Sequence, residues 1–191
     1  MDGERRGERD TGRGREELAR RIFEISNLRG EFTLRSGAVT DRYFDKYRFE
    51  GDPKLLAAIA GALAPAVREL TRNGVDALAG LEMGGIPLVT ALSRETGLPA
   101  LFVRKAAKEH GTCNLAEGGE VAGKSLLIVE DVVTSGGQIL LSTEDLRALG
   151  ATVERAVCVI DRESGGREKL AAAGIELTAL FSMSDLEKAA P

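Results

Sequence analysis

Two adjacent acids, Glu130 and Asp131, are followed after two valines by Thr134, Ser135, Gly136 and Gly137. Carboxylates accept hydrogen bonds from vicinal hydroxyls, and the backbone amides of a small-residue turn at a helix start form a concave anion site. Together they suit a ribose 5'-phosphate, with Glu130 and Asp131 on the diol and Thr134 to Gly137 on the phosphate. An ordinary strand-to-helix turn would use the same Asp and Thr only as caps. The full run of apolar strand, acid pair, hydroxyl pair and glycine pair favours the ligand.

A second grouping is cationic. Arg104, Lys105, Lys108 and His110, the only histidine, fall within seven residues of an otherwise acidic chain. A solvated basic loop is the alternative, but the cluster follows a strand end in a long, poorly apolar stretch that suits a mobile lid over an anion. Arg162, directly after the apolar run Ala156–Asp161, offers a fork for a carboxylate. An ion pair with Asp161 or Glu163 is equally compatible with its position.

Gly118 to Ser125, "GGEVAGKS", matches a nucleotide phosphate loop, G-x-x-x-x-G-K-S. Its context is wrong. A phosphate loop follows a strand and opens a helix, whereas here a polar loop precedes the match and the strand "LLIV" follows it at once. A turn leading into a strand is expected instead, with Lys124 outside any site.

These residues need elements to hold them. Leu18, Ile22 and Ile25 lie on one face of a helix from Glu16 to about Asn27. Asp52 as cap and Pro53 at the first position start another helix, carrying Leu56, Ile59, Leu63, Val67 and Leu70, which Pro65 is expected to kink or break. Thereafter strands and helices alternate: "VDALAGL", a glycine turn and helix, "ALFVR", a polar loop, "LLIV" ending at the acids, a helix ending near Gly150, "AVCVI", a short helix and "LTALF". Such alternation predicts an α/β fold, a central parallel sheet flanked by helices, with ligands at the carboxyl ends of the strands.

Composition bounds the rest. The 191 residues suit one domain, and 43% hydrophobic with 29% charged residues describe a soluble globular chain. A formal net charge of -4 argues against general nucleic-acid binding. The two cysteines, Cys113 and Cys158, have no metal-like or redox spacing and suggest a reducing compartment, with Cys158 in the core. No apolar run approaches the ~20 residues needed to span a bilayer, and no signal peptide is visible, so the cytoplasm is expected and a membrane partner is not. Residues 1–15, polar and mixed in charge, read as a disordered tail, and residues 16–191 as the single domain.

The segment "LLIVEDVVTSGG" resembles the phosphoribosyl-pyrophosphate motif of the type I phosphoribosyltransferases. Further segments place the resemblance with the members that act on orotate: "GEFTLRSG", "YFD", "EMGGIPL" at Glu82 to Leu88, "VRKAAKEHG" at Val103 to Gly111 and "VIDRESGG" at Val159 to Gly166. The likeness runs from about Gly30 to the end. Two positions depart from it: Glu130 stands where the motif often has Asp, and Arg35 where some relatives have Lys. Glu preserves the acceptor chemistry, whereas Arg is not a simple substitute for Lys at a close contact.

The resemblance implies the type I phosphoribosyltransferase fold with a small hood built from the N-terminal region. It implies transfer of phosphoribosyl from phosphoribosyl pyrophosphate to orotate, in pyrimidine biosynthesis. Sister readings are a transferase for another base and a non-catalytic sensor of the same pyrophosphate. By resemblance the pyrophosphate substrate is bound by Arg104, Lys105, Lys108, His110 and the run Glu130, Asp131, Val132, Val133, Thr134, Ser135, Gly136, Gly137, Gln138. Lys108, His110 and Asp131 carry the catalytic roles. Orotate is read by Thr134, Arg162, Arg35, Tyr43 and Phe44. Magnesium is implied as a companion of the pyrophosphate rather than of a protein cage, so no residue is assigned as a metal ligand. A homodimer with shared active sites completes the expectation.

Overall fold

The computed structural model describes residues 2–33, 37–72, 74–106 and 115–190, with side chains from Gly12 onward. Helix α1 (Asp2–Ser26) leads into an antiparallel hairpin of β1 (Asn27–Thr33) and β2 (Val39–Phe44), then α2 (Tyr47–Gly51) and α3 (Pro53–Thr71). The remainder runs β3 (Ala77–Leu81), α4 (Gly85–Thr96), β4 (Ala100–Val103), β5 (Ala116–Glu117), β6 (Ser125–Val133), α5 (Gly137–Ala148), β7 (Thr152–Asp161), α6 (Gly166–Ala172), β8 (Glu176–Ser182) and α7 (Met183–Ala189).

The main sheet has the order β5-β4-β3-β6-β7-β8 and is parallel except for β5. From β3 the chain moves outward to β4 and β5, then returns to β6 on the other side of β3. That reversal makes the carboxyl ends of β3 and β6 a topological switch point, where open α/β sheets leave a crevice. The expected alternation and parallel sheet are therefore present. Among the described residues no helix is long and apolar enough to cross a membrane.

Both faces of the sheet are covered, which explains its near-continuous apolar strands. Leu78, Leu127, Val129, Val157 and Val159 join Ile22, Leu55, Ile59, Leu63, Val67, Leu88 and Leu92 on the side of α1, α3 and α4. Ala79, Leu126, Ile128, Ala156 and Cys158 join Ile139, Leu146 and Leu170 on the side of α5 and α6. Cys158 is fully buried, as expected, and burial pushes its thiol pKa upward, so it stays a protonated core residue.

Helix α3 starts as its sequence directs. Asp52 Oδ1 accepts from the amides of Lys54 at 2.9 Å and Leu55 at 2.8 Å, and Pro53 occupies the first turn. Pro65, however, does not break it: the helix runs through to Thr71. Pro65 lacks an amide donor, a loss of about 3 kcal/mol in a helix interior. Ile59, Leu63, Ala64 and Val67 are buried on both sides of it and hold the two halves in one line of core contacts.

The first helix also departs from expectation, beginning at Asp2 rather than near Glu16. Its arginines and glutamates are good helix formers. Arg20 pairs with Glu17 and Glu24, each at 2.6 Å, along one exposed face. Arg15, within the stretch that reads as a tail, donates to the Leu180 carbonyl and lies 4.6 Å from the Phe181 ring centroid.

Candidate active site

Strand β6 does not end at the acid pair but continues to Val133. The expected strand end at Glu130 is corrected accordingly. Leu127 and Val129 face the α3/α4 side and Leu126 and Ile128 the α5 side, yet Val132 packs on the former side and Val133 on the latter. Val132 and Val133 thus pack on the sides opposite to those strict alternation predicts, although pairing with β7 stays in register from Leu127 to Val133. A regular strand sends neighbouring side chains to opposite faces; Glu130 lines the cleft, and Asp131 lies against Lys46.

Beyond Val133, the turn Thr134–Gly136 opens α5 at Gly137, with Gly136 in the left-handed region at φ 73°. That φ suits glycine, and a Cβ there would stand 3.1 Å from Leu170 and 3.2 Å from the Gly166 carbonyl. The first amides of α5 are left open to a ligand, as at any helix start. A cleft of about 190 Å³ sits at this turn. Its walls include Lys46, Glu82, Met83, Lys105, Glu130 and the run Val132–Gln138. The volume is below the ~300–1,000 Å³ of a complete small-molecule site, so these residues form part of an enclosure.

Most of the expected phosphoribosyl residues therefore converge. Among the described residues, two of them do not line the cleft. Arg104 turns away, with Nε 3.7 Å from Glu117 Oε1, while its neighbour Lys105 is set at the rim by a 3.0 Å bond from its amide to Glu82 Oε2. Asp131 is fully buried, immediately behind the wall that Glu130 forms. Gln138 is present in the wall, although its side-chain amide donates to Ser142 at 3.1 Å. Lys108, His110 and Arg35 lie outside the described residues.

On the base side, the Arg162 amide donates to the Val133 carbonyl at 2.8 Å, which seats Arg162 beside Thr134. Its guanidinium lies 5.8 Å from the Phe44 ring centroid. The alternative of a pair with flanking acids is not realised, because Asp161 binds Arg167 at 3.2 Å and Glu163 accepts from Ser184. Phe44 is half-buried against the core, whereas Tyr43 is 45% exposed and rests on Phe32, with ring centroids 5.4 Å apart. The hairpin thus brings Phe44 under Arg162.

Sequence reading did not single out two residues that the fold brings to the acids. Lys46 Nζ is 2.7 Å from Asp131 Oδ2 and 3.0 Å from Oδ1. Glu50, buried on α2, lies against the same carboxylate across Gly84. Both follow the "YFD" segment, but their partner is 85 residues further along in the case of Lys46, and no local pattern signals the pairing. Gly84 leaves the room that Asp131 occupies: a Cβ there would fall 1.6 Å from Asp131 Oδ2.

Three carboxyls and one ammonium share this pocket of low polarity. Burial, then the neighbouring Asp131, pushes Glu50 up to about 9. Glu130 is raised for the same two reasons. Burial opposes ionisation of Asp131 too, but hydrogen bonds from Glu130, Glu50 and Lys46, with the Lys46 charge, hold it below the usual range. Glu50 and Glu130 are thus both shifted towards their protonated forms, while Asp131 and Lys46 form an ion pair.

In the phosphate-loop look-alike, Gly123 turns at φ 72° and Lys124 runs directly into β6. Lys124 Nζ is 3.6 Å from Asp76, and both side chains are more than 40% exposed. No helix follows, so that motif makes no anion site.

Comparison with known proteins agrees with this layout. A family model described as the phosphoribosyl transferase domain matches residues 48–178. An orotate phosphoribosyltransferase of Nocardioides sp. is 47% identical over 90% of this chain and 94% of its own. The crystal structure of Mycobacterium tuberculosis orotate phosphoribosyltransferase in complex with Fe(III) dicitrate superposes with a TM-score of 0.79 at 34% identity, covering 91% of this chain and 98% of that one. The same enzyme in complex with 5-phospho-α-D-ribosyl 1-diphosphate gives a TM-score of 0.75 at 30% identity, over 91% and 99% of the two chains. A switch-point cleft with an acid pair and a helix-start turn, in a chain this similar over nearly its whole length, makes it a member of the phosphoribosyltransferase family, among the orotate phosphoribosyltransferases.

Proposed function

We propose that the protein transfers the phosphoribosyl group of phosphoribosyl pyrophosphate to orotate, giving orotidine 5'-monophosphate and pyrophosphate in pyrimidine biosynthesis. The observation that carries this reading is the joining of two sites by one short bond, from the Arg162 amide to the Val133 carbonyl. That bond holds the Arg162 backbone beside Val133, next to the Thr134–Gly137 turn; in this reading the Arg162 guanidinium meets the orotate carboxylate and the turn meets the 5'-phosphate. Glu130 serves the ribose diol from the cleft wall, and Asp131 supports it from behind.

Departure of pyrophosphate builds positive character on the sugar and negative charge on the leaving group, so catalysis rests on charge stabilisation and exclusion of water. Lys105 stands at the rim for the pyrophosphate; Lys108 and His110 join it in this reading, with Arg104 and Lys108 reaching the site of a neighbouring copy. Arg104, turned from its own cleft towards Glu117, suits that assignment. Orotate N1 attacks C1 of the sugar as the bond to pyrophosphate breaks. Arg35 and Tyr43 complete the base side.

Magnesium enters with the substrate. Among the described residues no group of three or more His, Cys, Asp or Glu is placed to hold a metal, and Asp131 is committed to Lys46. The ion prefers phosphate oxygens and retained waters. When bound there it neutralises charge on the departing pyrophosphate, with Glu130 the acid nearest the cleft. The buried free thiol of Cys158 is the state that a reducing cytoplasm maintains, and we place the enzyme there.

A base panel with phosphoribosyl pyrophosphate and magnesium, following pyrophosphate release, tests the reading. Orotate should be preferred. Arg162→Ala should raise its KM by about tenfold to a hundredfold, the worth of a charge-assisted contact of roughly 1.5 to 3 kcal/mol. Efficient use of hypoxanthine or guanine with orotate inert would refute it.

The shared site has its own test. Lys108→Ala and Asp131→Asn homodimers should each be inactive, but co-refolded in equal amounts they should regain roughly a quarter of wild-type activity, because each mixed dimer collects both lesions in one site. Activity no higher than that of the separate variants, with mixed dimers confirmed by mass spectrometry, assigns Lys108 to its own subunit.

A further inference from the structure

We infer that Lys46 is a positioning residue of the phosphoribosyl site, fixing the Asp131 carboxylate and cancelling its charge so that an acid-lined cleft can admit a polyanion. This deepens the proposed function and rests on it. The geometry is specific. Lys46 approaches both oxygens of Asp131, at 3.0 Å and 2.7 Å, and Asp131 Oδ1 also accepts the Val132 amide at 2.5 Å. Asp131 is wholly buried, while the Lys46 side chain is 33% exposed and forms part of the cleft wall beside Glu130. Lys46 therefore links the buried anion to the solvent-facing cleft.

The need for such a residue follows from the substrate. Phosphoribosyl pyrophosphate is strongly anionic, and three ionised carboxyls at close range would repel it. Facing Lys46 are Asp131 and Glu130 from β6 and Glu50 from α2, with Asp45 and the Tyr47 ring, 5.3 Å away, on its own segment. Glu50 Oε1 and Glu130 Oε2 are buried and receive no donor from the described residues. Protons on these two acids would satisfy both atoms and leave Asp131 as the one anion. Lys46 is the cation that balances it.

The direction of the pH effect is fixed by this arrangement. Lys46 holds the Asp131 pKa down, so its removal lets Asp131 take up a proton at higher pH. In Lys46→Met, the acid limb of the kcat/KM profile for phosphoribosyl pyrophosphate should move to higher pH. KM for phosphoribosyl pyrophosphate at neutral pH should rise about tenfold to a hundredfold, with KM for orotate within about twofold of wild type. Lys46→Arg should restore most of the affinity and the wild-type acid limb.

Asp131→Asn, assayed alongside, separates this inference from the site reading. Should Lys46→Met fail to fold by circular dichroism, Lys46→Gln keeps a hydrogen-bond donor without the charge and is read in the same way. Wild-type KM and pH profile in the uncharged variant, with Asp131→Asn impaired, overturns the role of Lys46. Equal losses in the Met and Arg variants with an unmoved acid limb also overturn it, because a merely structural lysine would behave so. Full phosphoribosyl-pyrophosphate use by Asp131→Asn removes the site reading itself and the inference with it.

Discussion

Gly84→Ala should lose at least about a hundredfold in orotidine monophosphate formation and melt roughly 6 to 12 °C below the wild type. The added Cβ would sit 1.6 Å from Asp131 Oδ2, 2.4 Å from its Cγ and 2.7 Å from Glu50 Oε1. None of these can yield cheaply. Asp131 is fully buried and tied to Lys46 and to its neighbour's amide, and Glu50 is buried on α2. Either Asp131 moves off its ion pair, or the turn after β3 moves off the sheet. Overpacking costs about 1 to 3 kcal/mol, and a buried ion pair parted from its partner about 3 to 5. A total of about 3 kcal/mol or more gives the stated shift for a chain of this size. Calorimetry and the pyrophosphate-release assay read the two effects separately. A melting point within about 2 °C of wild type with activity retained would show that the Asp131 pocket is looser than the structure has it.

Asp131→Asn should reduce kcat/KM for phosphoribosyl pyrophosphate by about a hundredfold or more, while Lys124→Ala stays within about twofold of wild type. The amide removes the anion that Lys46 faces, leaving a half-buried ammonium uncompensated, and it replaces one of the two buried acceptor oxygens with an NH2 donor. Hydrogen bonds to charged groups are worth roughly 1.5 to 3 kcal/mol each, so losing more than one exceeds a factor of a hundred. Lys124 has only an exposed partner, Asp76 at 3.6 Å, and such pairs contribute about 0 to 1 kcal/mol. The pair of variants also separates the two phosphate-binding motifs in the sequence. A dead Lys124→Ala enzyme with intact circular dichroism would restore the loop at Gly118–Ser125 as the anion site and remove the one at Thr134–Gly137.

Much of this molecule is legible in its residues, for physical reasons. Apolar runs such as "LLIV" and "AVCVI" are continuous because both faces of their strands are covered, and the glycine turns between them permit few conformations. The Asp52–Pro53 start of α3 and the turn Thr134–Gly137 are local signals, settled within a few residues. The false phosphate loop could likewise be rejected from what precedes and follows it.

Where local signals compete with packing, the tertiary structure decided. Pro65 disfavours helix, yet the core contacts of its neighbours carry α3 through it. The acids at the expected end of a strand lie inside it, because pairing with β7 extends to Val133 and Asp161. Their division of labour, Glu130 at the cleft and Asp131 behind it, is one that no residue type announces. Lys46 and Glu50 belong to the site only because the fold brings their segment against Asp131 of β6. The sequence by itself specified the chemistry along β6 and its turn, since those groups are neighbours in the chain. The charge balance of the acids came from residues distant in sequence, and folding alone brings those within hydrogen-bonding reach.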